Sequence, residues 1–139
     1  MDPDVNTLRL CVGDRCLIIQ LYRADSIPQS LRKLFLDWVY KFGGFSNDWH
    51  RERITRSKHG LKMYKDPMEL RLLKDGLENL SVEEMVHELL GFEVELKEEI
   101  RKSDWSQKDL SDDQVLYAYV EAYAAFAIGV KLRMWDLCF

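Results

Sequence analysis

Between Val115 and Val130 the chain carries a single charged residue, Glu121. A carboxylate buried in apolar surroundings costs several kcal/mol unless a cation or hydrogen-bond donors meet it. Tyr117 lies one helical turn earlier on the same face, and Ala118, Ala124 and Ala125 flank the pair with small side chains that leave room for an approaching group. The spacing suits a metal ligand beside a phenol that orients a water. On spacing alone it suits better a glutamate that simply turns to solvent from an otherwise apolar helix. Asp48 is the second acid of interest, because Gly43-Gly44 just before it allow another backbone or a ligand to come close. A carboxylate in a first helical turn is also favoured by the helix dipole whatever its role. Arg51, Arg53, Arg56 and Lys58 follow and offer either a phosphate-binding cluster or a solvated helix exterior. His50, His59 and His87 show no metal spacing with one another or with the cysteines, and no phosphate loop, nucleophile elbow or His-Glu-x-x-His motif occurs.

These side chains need elements to hold them. Leu8, Leu10, Leu17, Ile19 and Leu21 alternate with Arg9, Cys16, Ile18 and Gln20 around Gly13-Asp14, which predicts a hairpin with glycine first in a two-residue turn. That register sets Leu10 opposite Leu17, Leu8 opposite Ile19 and Cys11 opposite Cys16, the two thiols being read as reduced rather than bridged. Leu31, Leu34, Phe35 and Trp38 are spaced like one helix face after Pro28. Val39 to Phe45 reads as a short strand, Ser46-Asn47 as the cap of a helix through Arg53, Leu61 to Tyr64 as a strand, and Pro67 to Lys74 as a helix. Ser81 with Glu84 and Ser111 with Gln114 form two capping boxes, with Leu80/Met85 and Leu110/Val115 at the staple positions. Gly91 ends the first of these helices. The second is expected to run from Asp112 to near Met134. The order of strands and helices indicates an α/β domain.

Composition narrows the function classes. The chain has 139 residues, 47% of them hydrophobic, with 24 acidic against 20 basic side chains and a formal net charge of -4. That fits one domain, spanning 1–139, and excludes a disordered chain or a polycation that binds phosphates over its whole surface. Three cysteines argue against a secreted disulfide framework. The acidic N-terminus and the shortness of the apolar run, against the roughly 20 residues a bilayer requires, lead us to expect an intracellular protein, nuclear or cytoplasmic, with no membrane partner.

Three blocks resemble the Werner-syndrome-type 3′–5′ exonuclease domain, most of all the plant Werner-exonuclease-like proteins. They are Leu8-Arg-Leu-Cys-Val-Gly-Asp-Arg-Cys-Leu-Ile-Ile-Gln-Leu21, Gly43-Gly-Phe-Ser-Asn-Asp48, and Trp105-Ser106 with Leu110-Ser111, Gln114, Tyr117-Ala118, Glu121-Ala122-Tyr123-Ala124 and Phe126. The match runs from Thr7 to Leu132. It implies an RNase H-like fold, a mixed sheet flanked by helices, and a phosphodiesterase working with two Mg²⁺ or Mn²⁺ ions about 3.5–4 Å apart. Four carboxylates hold such ions: an Asp-x-Glu pair on the first strand, a later Asp, and an Asp four residues after a Tyr. Asp48 matches the third acid and Tyr117 the tyrosine that positions water. Arg51 and Arg53 become candidate nucleic-acid contacts, and Asp48 and Glu121 the metal ligands.

Two departures accompany the match. Glu121 stands where the family has Asp, moving the carboxylate by about an ångström, a misplacement that can cost around a hundredfold in rate. No Asp-x-Glu occurs in the sequence, and only six residues precede Thr7 where the family places that strand. The expectation is therefore an N-terminally truncated form, without the central first strand, whose hairpin either pairs directly with Val39–Phe45 or is weakly anchored. Three functions stay open: an exonuclease-like pseudoenzyme that binds single-stranded or recessed-end nucleic acid with hydrolysis impaired, an active metal-dependent exonuclease completed by an upstream segment, or a non-catalytic module that homo-oligomerises through its sheet edge.

Overall fold

The computed structural model describes residues 7–45, 55–56 and 58–136. Gly13 takes φ +63° while Asp14 does not have a positive φ, which is the turn that places glycine first. Strands β1 (Thr7–Val12) and β2 (Arg15–Gln20) pair across it with Leu8 opposite Ile19, Leu10 opposite Leu17 and Cys11 opposite Cys16. Both thiols are free, and burial together with the adjacent Cys11 thiol pushes Cys16 up to about 12.

The hairpin is covered on both faces. Leu8, Leu10 and Ile19 pack with Leu31 and Phe35 of α1 (Gln29–Leu36) and with Leu61 and Met63. The opposite face carries Arg9 and Ile18, and Ile18 packs with Trp105, Tyr117 and Ala118. Helix α1 ends before Trp38, so that residue leaves the helix face its spacing suggested and is 73% exposed.

Three expected elements are replaced. The strand expected over Val39–Phe45 shrinks to β3 (Gly43–Gly44), paired in parallel with β4 (Met68–Glu69). Leu61–Tyr64 forms no strand. Leu61 and Met63 are buried alternately as a strand would bury them, and Tyr64 N–H donates to the Phe35 carbonyl at 2.8 Å, but no ladder forms among the described residues. The helix expected from Pro67 gives way to β4 and one 3₁₀ turn, Leu70–Leu72, because Met68 N–H is committed to the Phe42 carbonyl and the Glu69 side chain caps Arg71 N–H. The helix expected from Ser46-Asn47 to Arg53 lies outside the described residues.

The two capping boxes form. Ser81 and Glu84 exchange bonds at the start of α2 (Val82–Leu90), which Gly91 ends at φ +79°. A short α3 spans Glu98–Arg101, and Ser111 with Gln114 opens α4 (Asp112–Lys131). Leu80 and Met85 share one apolar cluster, whereas Val115 is 43% exposed. Among the described residues the hairpin and the β3–β4 pair are separate two-stranded sheets, giving a mixed α/β fold. The hairpin therefore does not pair with the 39–45 segment, and it is not weakly anchored either. Helix α4 packs on β1, β2 and β3 and ties the two sheets together.

Candidate functional site

The first half of α4 meets the hairpin over a small, closely packed cluster. Tyr117 is buried and its ring meets Trp105 edge-on, with centroids 6.0 Å apart and planes at 63°. Glu121 does not point freely to solvent, and among the described residues it joins no cluster of acids. Its Oε1 accepts a hydrogen bond from Arg9 Nη1 at 2.7 Å, with side-chain exposures of 30% for the glutamate and 14% for the arginine. The same guanidinium lies 4.4 Å from the Trp105 ring centroid and 6.0 Å from that of Tyr117. A cation over an indole face is attracted by its quadrupole, more so once water is excluded.

Each member is held from behind. Register fixes Arg9 opposite Ile18, so its side chain faces α4. Trp105 Nε1 donates to the Arg101 carbonyl at 3.0 Å. Gln114 is 1% exposed and braces the loop that carries Trp105: its Nε2 donates to Ser103 Oγ and the Asp104 carbonyl, and its Oε1 accepts from Gln107 and Ser111. Arg23 and Gln20 bind the carbonyls of Ser106 and Gln107, fastening that loop to the hairpin. Within the loop, hydrogen bonds from the Ser106 hydroxyl and N–H hold the Asp104 carboxyl below the usual range. The space that the alanines were expected to leave is filled. Ala118 packs against Trp105, and Ala124 against Leu70 and Met85.

The sequence pointed to Tyr117 and Glu121, and they are adjacent here. Asp48, Arg51 and Arg53 lie outside the described residues. Lys58, grouped with those arginines as either a phosphate contact or part of a solvated exterior, is exposed and donates to the Tyr22 carbonyl at 3.1 Å. Arg9 was missed as a site residue. Its signal was available: it is the one charged residue of β1, as Glu121 is the one charged residue between Val115 and Val130. A second missed feature is an aromatic cleft lined by Trp38, Tyr40, Phe42 and Tyr64, together with Lys41, Lys65, Asp37 and Asp66. Trp38, Tyr40 and Tyr64 are each more than half exposed there.

A pair of divalent ions does not fit the described residues. No group of three or more metal-ligating side chains occurs among them. Glu121 is already met by a positive charge, and the buried Arg9 Nε lacks a partner. That orphan is a donor on a cation, so it calls for an acceptor and would repel a metal.

No family model matches the chain. By sequence it is 24% identical over 143 positions to the R431 protein of Acanthamoeba polyphaga mimivirus, assigned by name as a 3′–5′ exonuclease, covering 94% of this chain and 36% of that protein. It is 27% identical over 132 positions to the mouse bifunctional 3′–5′ exonuclease/ATP-dependent helicase WRN, covering 92% of this chain and 9% of that one. The chain thus spans about a third of the first relative's length and less than a tenth of the second's. Among solved structures, the EXD2 exonuclease domain soaked in Mn and GMP superimposes with a TM-score of 0.43 at 20% identity, covering 94% of this chain and 71% of that one. The same domain soaked in Mn and Mg gives 0.41 at 19% identity, with 94% and 72% covered. A superposition that distant does not define the fold. Among the described residues no helix is long and apolar enough to cross a membrane.

Proposed function

We propose that the chain is a Werner-type, RNase H-like 3′–5′ exonuclease domain that binds single-stranded or recessed-end nucleic acid and hydrolyses it weakly or not at all. The observation that carries the reading is the state of Glu121. The helix with the exonuclease-like spacing of Tyr117 and Glu121 is present, and among the described residues its acid is engaged by an arginine 2.7 Å away. Similarity to two proteins named as 3′–5′ exonucleases, along more than nine-tenths of the chain, supports the nucleic-acid part of the reading. The aromatic cleft supports it too, since exposed aromatic faces near lysines are surfaces on which unpaired bases stack.

In this reading Tyr117 stays the candidate phenol beside the acid, with Trp105 packed edge-on against its ring. Asp48 remains the candidate third acid and Arg51 and Arg53 the candidate backbone contacts. Mg²⁺ or Mn²⁺ is the ion to supply in any assay, and the nucleus or cytoplasm the compartment in which to look for the protein. The test is to incubate the chain with either ion, a labelled single strand and a recessed-end duplex. Binding of the single strand, weakened several-fold by Trp38→Ala, with no 3′ shortening is expected. Robust shortening that disappears in Asp48→Ala would overturn the impaired reading. Absence of any binding would overturn the nucleic-acid reading itself.

A further inference from the structure

We infer that Arg9 is a built-in cation that takes the place of a divalent ion at Glu121, so that the carboxylate of α4 is a closed structural ion pair and not a metal ligand. The inference rests on the functional reading only in taking Glu121 as the family's last acid. Its physical basis is independent of that reading.

Three elements deliver one guanidinium to one carboxylate oxygen. Strand β1 sets the direction of Arg9, the loop braced by Gln114 sets Trp105 beneath it, and α4 sets Glu121 beside it. A guanidinium stays charged at every relevant pH and is more weakly hydrated than a metal ion, which suits it to a partly buried site. The arginine is the more buried partner, at 14% exposure, and is seated 4.4 Å from the indole centroid. A dication reaching Glu121 would have to lie beside that fixed positive charge or expel it from the indole face. Expulsion would leave Arg9 no described acceptor, since its Nε has none even now. Glu121 is therefore neutralised by the chain itself. This accounts for a glutamate standing where the family has aspartate: the longer side chain reaches a partner on the neighbouring strand, 112 positions away in sequence.

The test is a Mn²⁺ titration followed by NMR, in which the bound paramagnetic ion broadens nearby backbone amides. In the wild-type chain the amides around residue 121 should broaden no more than in Glu121→Gln, and the Arg9 side-chain N–H signal should persist. In Arg9→Met, broadening should appear around residue 121 and vanish in the Arg9→Met/Glu121→Gln double variant. Arg9→Lys, which keeps the charge, should behave as wild type. Broadening at residue 121 in the wild type that Glu121→Gln removes would overturn the inference, as would an Arg9→Met variant that folds and shows none. Should Arg9→Met not fold, the wild-type against Glu121→Gln comparison decides alone. Nucleic-acid binding measured on the same samples separates the two readings: its absence removes the functional proposal and leaves the ion-pair result standing.

Discussion

Helix α4 is one continuous element with two different environments. Its first half meets polar and charged partners from distant parts of the chain: Gln114 braces the 103–107 loop, Tyr117 faces Trp105, and Glu121 pairs with Arg9. Its second half is packed by shape. Ala124 and Ile128 sit with Leu70 and Met85, and Gly129 lies under Met134. A polar cluster of this kind tolerates few alternatives, because each lost partner leaves a buried donor or acceptor unmet. An apolar cluster is less directional and can repack. The half of α4 that carries the exonuclease-like spacing is thus the more tightly specified one.

The largest effects should come from emptying either half. Trp105 is 1% exposed and Ile128 0%. Trp105→Ala should cost about 3–5 kcal/mol and Ile128→Ala about 2–5 kcal/mol, read from urea unfolding. The two losses should differ in what they couple to. In the Trp105→Ala background the cost of Glu121→Gln should change, because the indole no longer seats Arg9, whereas with Ile128→Ala the two costs should add. Equal coupling in both backgrounds would erase the distinction between the halves.

A smaller effect separates the two capping boxes. Glu84 is exposed and serves only the start of α2, so Glu84→Ala should cost about 1 kcal/mol. Gln114 holds the equivalent position at 1% exposure and also binds Ser103, Asp104 and Gln107. Gln114→Ala should therefore cost about 2–3 kcal/mol, since buried partners are left unsatisfied. Equal costs, measured by the same unfolding, would mean that the loop holds Trp105 without its brace.

What could be read from the sequence was what is decided locally. The hairpin register follows from alternation and Gly13, and both capping boxes follow from a serine and an acceptor three positions later. The β3–β4 pair was not legible. Two residues on each side carry no periodicity, and long-range contacts, Gly43 against Leu70 and Met68 N–H to Phe42, decide it. Tyr117 and Glu121 were found as neighbours because four residues make one helical turn. What holds Glu121 was not found, since no local pattern links it to a strand residue 112 positions earlier. Two charges of opposite sign, Arg9 in β1 and Glu121 within Val115–Val130, each alone in its apolar stretch, were the available clue.

The smallest predicted effect tests the second half of α4 most directly. A Cβ added at Gly129 would lie 2.6 Å from Met134 Sδ and 3.5 Å from its Cγ. Contact at that distance requires movement, but the atom belongs to an unbranched, flexible side chain that readily adopts another rotamer. Against this, alanine is favoured over glycine inside a helix by about 1 kcal/mol. The terms oppose and are of similar size, so Gly129→Ala should unfold within about 1 kcal/mol of the wild type. A loss well beyond that would show Met134 to be fixed, held against Gly43 at the same time as Gly129. The packed half of the helix would then be as narrowly specified as the half that pairs Glu121 with Arg9.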